Sequence, residues 1–439
     1  MAKKMLFLFV LLLSLTGMLK AQVTTAGMSG KVMADEESVI GATVVAVHEP
    51  SGTSYGTVTN VDGRFSLQGM RSGGPYKVTV SYIGYQTAIY TGIQLQLGET
   101  YSLNVTLHEA SELLGEITIT ASKSKFSAEK TGATTNISSE QLTTLPSINR
   151  SISDFTRISP YASGNSFGGR DGRSNTFTVD GANLNNNFGL SSGLPGGGNP
   201  ISLDAIDEVQ VVIAPYDVRQ ANFIGAGINA ITKSGTNAYR GSAYMYFNNE
   251  VMRGNKIGDT DFGVRAEESK TVYGATFGGP IIKDKLFFFA NVEYEKSPQQ
   301  VITWRAAKEG ETPNNSTISR TTEADLAEFS QILKDKYRYN TGSFTDFPAD
   351  VTNLKLLGRI DWNINQGNKL SVRYNFTNNK TWEAPNGSSG NTGYRLAYNR
   401  VSAYSMSYAN SCYSLQNIVN SATAELNSRF SSNVSNLLL

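Results

Sequence analysis

Hydrophobic and polar positions alternate with a period of two through much of the second half of the chain. Over 353–365, Leu354, Leu356, Gly358, Ile360, Trp362 and Ile364 fall on one face. Lys355, Arg359, Asp361 and Asn363 fall on the other, and Leu357 breaks the rule. Over 369–377, Leu370, Val372, Tyr374 and Phe376 oppose Lys369, Ser371, Arg373, Asn375 and Thr377. Over 285–295, Leu286, Phe288, Ala290, Val292 and Tyr294 oppose Asn291, Glu293 and Glu295. Such alternation marks strands with one apolar face. Weaker runs occupy 240–249, 271–277, 401–409 and 418–427. The strands approach the ~9–11 residues that a tilted strand needs to cross a bilayer. Their connections are tight at 281–284 and 365–368, and long and polar at 250–270, 296–352 and 378–399. Short turns on one side and long loops on the other are the rule of membrane β-barrels. Trp362 and Trp382, near strand ends, suit an aromatic girdle. The pattern predicts that 238–439 pair as successive antiparallel hairpins, with Leu354, Ile360, Trp362, Val372, Tyr374, Phe288 and Val292 facing outward.

The first half reads differently. Short β-rich runs recur at 29–33, 42–48, 57–60, 64–67, 76–83 and 101–107, separated by turn signals at Asp62-Gly63 and Gly73-Gly74-Pro75. Tyr76, Val78, Val80 and Tyr82 alternate with Lys77, Thr79 and Ser81, so one face is buried. This spacing predicts a β-sandwich over 22–108. From 109 to 125 the chain is a polar linker with one β-prone island, Glu116, Ile117, Thr118, Ile119, Thr120 and Ala121. By pattern alone that island is equally a last sandwich strand or plain linker. Residues 126–237 mix a helix-like stretch at 152–158 with strand-like runs at 175–181 and 206–212, a Gly/Pro-rich loop at 190–200, and a Gly-containing segment at 225–235.

Lys3 and Lys4 precede an apolar run over 5–15, with a small residue at Ala21. This is the layout of a secretory signal peptide over 1–21, cleaved near Ala21. No later apolar stretch approaches ~18 residues, so any membrane crossing is by strands. Formal net charge is +1, which gives no electrostatic footprint for nucleic acid. The sole cysteine, Cys412, excludes a disulfide framework and reads as a packed strand residue. His48 and His108 lie on separate sandwich strands without neighbouring Cys or His, so no metal site is expected, nor a cofactor. Neither a Gly-x-Ser-x-Gly elbow nor a phosphate-binding Gly-Lys-Ser/Thr occurs, and no catalytic residues are assigned. The runs 183–187 and Arg170-Asp171-Gly172-Arg173 are polar and open to a ligand-facing role, though loop composition alone predicts such residues.

Several stretches carry family resemblances. Gly30-Lys31-Val32, Ile40-Gly41-Ala42-Thr43-Val44, the run 56–67 and Val80-Ser81-Tyr82-Ile83-Gly84-Tyr85 resemble the carboxypeptidase regulatory-like domain, a non-catalytic prealbumin-like sandwich. The island 116–121 resembles a TonB box, which implies pairing with the sheet edge of a TonB-type periplasmic energy-coupling protein. Asp180 and Gly181, then the run 206–212, then Gly225 and Gly227, occur in the order of the plug domain of TonB-dependent receptors. The stretches 215–223 and 278–289 resemble the Oar-like subgroup of that family.

The expected fold class is mainly β: a prealbumin-like β-sandwich, a mixed α/β plug domain over 126–237, and an incomplete transmembrane antiparallel β-barrel over 238–439. About seven barrel strands are counted, with an eighth begun at 432–439, against about 22 in plugged receptors. The sequence therefore reads as an N-terminal fragment of a longer chain. The expected role is a TonB-dependent receptor of the cell outer membrane, moving an unknown ligand and contacting outer-membrane lipid. An outer-membrane adhesion or assembly scaffold is the alternative. A polar lumen wall of Lys355, Arg359, Asp361 and Arg373 is expected to hold the plug through solvated contacts of ~0–1 kcal/mol each.

Overall fold

A computed structural model describes residues 23–439 except 35, 110–116, 121–132, 148–149, 186–193, 195–197, 216–219, 262–267, 300, 303, 315–316, 386–400 and 432–433. The signal-peptide assignment, most of the linker, and Tyr216 to Arg219 of the Oar-like stretch lie outside the described residues.

The sandwich has two sheets. In the first, β1 (Ala26–Ala34) is central, flanked by β4 (Arg64–Met70), by the short pair Glu37–Ser38, and in parallel by β7 (Thr100–Ser102) and β8 (Val105–Leu107). The second contains β2 (Thr43–His48), β3 (Thr53–Val58), β5 (Gly73–Ser81), β6 (Ala88–Leu95) and β9 (Ile117–Thr120), in the order β9-β6-β5-β2-β3. Alternate residues of both sheets interdigitate: Met28, Val32, Phe65 and Leu67 meet Val44, Ala46, Tyr76, Val78, Val80 and Ile93. Three expectations shift. The run at 57–60 belongs to β3, which starts at Thr53 and ends at Val58 before the Asp62-Gly63 turn. Strand β6 was not read at all. Tyr82 lies past the end of β5 and is exposed.

His48 is buried on β2, where its Nδ1 hydrogen-bonds the Ser51 hydroxyl at 2.7 Å and its ring lies 5.1 Å from that of Tyr76. His108 is exposed just beyond β8, off the strand expected to hold it. Burial, helped by the positive charge of Arg71, lowers the pKa of His48 to about 3. In the unfolded chain the imidazole takes up its proton near pH 6.5, so the unfolded state binds more protons below that pH. The sandwich is therefore expected to lose stability, on the order of a few kcal/mol, as pH falls from 6.5 toward 3. Hydrogen exchange of the 23–109 amides, corrected for intrinsic rates, should show this acid loosening. A His48→Gln variant should lack it; the same acid response in both proteins would refute the assignment.

The central unit is a five-stranded mixed sheet. It contains β10 (Ala133–Ser138), β11 (Thr176–Val179), β12 (Ala182–Asn183), β13 (Ile206–Ala214) and β14 (Gly227–Thr232), in the order β10-β13-β14-β11-β12. Two short helices, α1 (Ser139–Thr144) and α2 (Ile152–Thr156), follow β10. Ser138 caps α1 through a reciprocal capping box with Gln141. Val209 and Val211 of β13 point into a core with Ile137, Phe155, Phe177 and Ile228, while Glu208 and Gln210 point the opposite way and are also buried. Burial on both faces explains the broken alternation of this strand.

The last part is one seven-stranded antiparallel sheet. Its strands are β15 (Arg240–Asn249), β16 (Ser269–Ile282), β17 (Leu286–Lys296), β18 (Thr352–Asn363), β19 (Asn368–Glu383), β20 (Tyr413–Arg429) and β21 (Ser435–Leu438), each paired with the next. The register aligns Phe288 with Ile360 and Ile360 with Val372, so the apolar face is continuous across strands. Val292, Ile360, Trp362, Val372 and Tyr374 are exposed on it, and Leu354 and Phe288 are half-buried. The hairpin expectation holds with one correction. Residues 401–409 form no strand: Ser402 and Ser405 close a local turn, and Tyr408 donates its hydroxyl to Leu326 O at 2.8 Å. Cys412 is therefore not on a strand. It follows the 3-10 turn Ala409–Ser411 and packs near Ile302 and Val401. The connection 297–351 holds an unforeseen helix, α3 (Glu323–Tyr337), capped by Thr322 and Asp325.

Candidate functional site

The polar face of the seven-stranded sheet is not fully solvated. Much of it is covered by the central unit, and side chains from both form two polar clusters. The first surrounds the β11–β12 hairpin. Asp180 and Gly181 both adopt positive φ, 48° and 80°, as a two-residue primed turn requires. The Asp180 carboxylate accepts from Thr232 N at 2.9 Å and from the Thr232 hydroxyl at 2.7 Å, tying the hairpin to β14. From the wall, the Arg373 guanidinium lies 3.2 Å from the same carboxylate and donates to Asp180 O at 2.8 Å. Arg359 donates to Thr232 O at 2.6 Å. Behind them, Arg373 also donates to Glu425 at 2.9 Å, Arg359 grips Asp361 with contacts of 2.8–3.0 Å, and Ser371 donates to Asp361 at 2.6 Å.

The second cluster gathers on Glu293. This carboxylate accepts from Lys355 Nζ at 2.8 Å, from Ser202 at 2.7 Å and from Tyr244 at 2.9 Å. Arg150 pairs with Asp204 and lies over the Tyr246 ring, 3.7 Å from its centroid. Nearby, Thr377 and Asn375 donate to Pro200 O at 2.7 and 3.3 Å. Leu357 and Phe289 reach from the wall into the core of the central unit. Leu357, the exception in the alternation, is thus an inward residue that meets an apolar surface.

The four wall residues expected to be polar and inward are in place, but their environment differs from expectation. Lys355 and Glu293 are only 3% and 4% exposed at their side chains, so the solvated estimate of their strength does not apply. Breaking such a pair leaves a buried charge without a partner, which costs about 3–5 kcal/mol. A Glu293→Ala variant is expected to lower the urea-unfolding stability of the micelle-bound protein by that amount. The joint Glu293→Met, Lys355→Met variant should lose far less, because neither charge is then stranded. Arg173→Ala, which breaks a solvent-exposed pair with Asp171, should leave that stability essentially unchanged.

The other candidate residues sort plainly. Gly225 and Gly227 sit where a side chain would collide: a Cβ would lie 2.3 Å from Asn175 Oδ1 and 2.7 Å from the Phe223 ring respectively. Asn183 and Asn185 make local turn contacts, from Asn185 N to Asn183 Oδ1 at 2.8 Å and from Phe177 N to Asn185 Oδ1 at 2.6 Å. Ile117 to Thr120 form a strand parallel to β6, pairing Ile117 with Ala88 and Thr120 with Thr91; Glu116 and Ala121 lie outside the described residues. Sequence reasoning missed Glu425, Arg150 and Asp204, whose only signal was a charge on a strand or loop otherwise read for shape, and the uncharged Thr232. Among the described residues no group of His, Cys, Asp and Glu could hold a metal, and no helix is long and apolar enough to cross a membrane.

Two family models match the chain: a carboxypeptidase regulatory-like domain over residues 27–108 and an outer membrane beta barrel domain over 231–437. A seven-stranded sheet with a continuous exposed apolar face and a covered polar face, behind such a sandwich, defines an outer-membrane β-barrel protein. The TonB-dependent transporter Oar of Myxococcus xanthus is 25% identical over 344 residues, 74% of this chain and 30% of that protein. The chain carries an outer membrane beta barrel domain, is similar over most of its length to this transporter, and spans about a third of the length of this curated relative. Solved structures similar to it include the ferric enterobactin receptor of Pseudomonas aeruginosa in complex with enterobactin. That match is 14% identical, covers 71% of this chain and 40% of the other, and has a TM-score of 0.43. The outer membrane transporter YddB of Escherichia coli is 13% identical, with coverages of 68% and 37% and a TM-score of 0.42. The siderophore receptor PirA of Acinetobacter baumannii is 18% identical, with coverages of 70% and 46% and a TM-score of 0.37.

Proposed function

We propose that this chain carries the coupling strand, the plug and the first wall strands of a transporter that moves a ligand across the outer membrane at the expense of a TonB-type partner. On this reading 126–237 is the plug domain, 238–439 is barrel wall, and 116–121 is the segment the partner takes up. The protein has no catalytic role; its work is gating. The observation that carries the reading is the join between Asp180, Thr232, Arg359 and Arg373. This join is made of hydrogen bonds and ion pairs that water can replace as the plug shifts, with the apolar contact of Leu357 and Phe289 beside it, while the wall keeps its own strand ladder. A scaffold that only anchored would need no separable joint.

Movement of the plug can be followed without knowing the ligand. Ala230 is buried on β14, and Ala230→Cys is nearly isosteric. In the full-length receptor with Cys412→Ser, fluorescein maleimide should label this position several-fold faster in energised cells than in cells treated with a protonophore. Equal rates in the two conditions would overturn the reading.

A further inference from the structure

The sandwich is attached at two places that neither its own fold nor that of the sheet requires. On one side its edge strand β3 meets the tight-turn end of the wall. Lys369 donates to Ser54 O at 3.3 Å and lies 3.2 Å from the centroid of the Tyr55 ring, and Arg429 donates to Gly56 O. Asn363 donates to the Thr53 hydroxyl at 3.0 Å and Asn427 to Gly69 O at 2.7 Å. Residues 54 and 56 are two apart on an edge strand, so their free carbonyls point the same way. The wall supplies a cation for each.

On the other side the turn after β6 enters the central sheet. Leu97 is fully buried beside Val23 and Ile231. Its N–H donates to both carboxyl oxygens of Glu208 at 3.1 Å. Its carbonyl accepts from Gln210 at 2.5 Å and from Asn136 at 3.4 Å, and Asn136 also donates to Glu99 at 3.3 Å. Gly98 has a φ of +70°, and a Cβ there would lie 2.8 Å from Gln210 Nε2. The backbone of one turn thus has both its donor and its acceptor satisfied by side chains of another sheet, at a position only glycine fits.

Resting on the plug reading above, we propose that the sandwich is a restraint on the plug: the turn at 96–99 is a pin seated against β13, and β3 ties that pin to the barrel rim. The strand leading into the pin, β6, is also the one that carries β9. A partner that takes β9 by strand addition strips the edge of β6, so capture of the coupling strand and loosening of the pin become one event.

The test uses the full-length receptor with Cys412→Ser and Ala230→Cys. In one arm Glu99→Cys and Asn136→Cys are joined by a short bis-methanethiosulfonate reagent, and maleimide modification of position 230 is then read by peptide mass spectrometry. Locking should reduce energised labelling about tenfold, to the de-energised rate, and reductant should restore it. In the other arm Gly98→Val, or Glu208→Leu with Gln210→Leu, should raise de-energised labelling several-fold while exchange protection of β1 and β2 stays unchanged. Locked protein that labels as fast as unlocked overturns the restraint, as does release that leaves the resting rate unchanged. If unlocked parent shows no energised increase, the plug reading has failed instead, and the release arm alone decides the pin.

Discussion

Deleting residues 126–237 from the complete receptor is expected to turn a closed barrel into an open, nonspecific pore. The central unit covers much of the inward face of β17 to β19, and its removal would uncover Lys355, Arg359, Arg373, Glu293 and Glu425 together. Those charges were satisfied partly by one another: Arg359 by Asp361, Arg373 by Glu425, Lys355 by Glu293. They can therefore be solvated in place, and the wall keeps every inter-strand hydrogen bond. A polar, water-filled lumen is the usual interior of large barrels. Single-channel conductance in planar bilayers should rise from near background to large, long-lived openings with little ion selectivity. A deletion variant as tight as the parent would mean that another part of the protein closes the channel.

A single proline in β9 is expected to abolish energised movement of the plug. Proline has no N–H, so Ile117→Pro or Ile119→Pro removes a donor from any ladder this segment joins. Energy-dependent labelling of Ala230→Cys should fall to the protonophore level in at least one of the two variants, with resting labelling no lower than in the parent. Labelling that responds to energy as usual in both variants would leave 117–120 as a sandwich strand and nothing more. That alternative has weight, because the segment lies on β6 in the resting structure. The two roles are compatible in time: a strand that can pair with β6 has the conformation that pairing with a partner's edge demands.

The wall was the most legible part of the chain, for a physical reason. A strand with an exposed apolar face and a polar face covered by the central unit must alternate, and Leu286 to Tyr294, Leu354 to Trp362 and Leu370 to Phe376 do so plainly. Errors came where that two-solvent rule lapses. Val401 to Ala409 is apolar at intervals because it packs on loop structure, including Leu326 of α3, and not because it crosses anything. Helix α3 lay inside a segment read only as long and polar, although Thr322 with Asp325 three residues on is a capping signal. Gly92 interrupts the short apolar run of β6, which therefore carries little strand signal, yet that strand leads to the pin. The two clusters were half legible. Parity placed Lys355, Arg359, Asp361 and Arg373 on the inward face, but parity says nothing of what lies opposite, so the partners of Asp180 and Glu208 stayed hidden. Charges whose partners lie more than a hundred residues away leave no local trace.

The unequal lengths of the wall strands have a consequence of their own. β19 has 16 residues and β20 has 17, against 10 in β15. At about 3.3 Å per residue and a tilt near 40°, 16 residues rise about 40 Å, whereas the apolar band of such barrels is about 25 Å tall. With the tight turns held near one surface, the surplus of roughly 15 Å stands clear of the lipid on the other. Polar residues are frequent there, among them Asn378, Asn379, Lys380, Gln416 and Asn417, with Trp382, Tyr413 and Leu415 between them, and Gln416 donates to Asn378 at 3.0 Å. Anything approaching the cell thus meets a stiff, hydrated palisade before it meets the bilayer, and the long connections are hoisted on it above the headgroups.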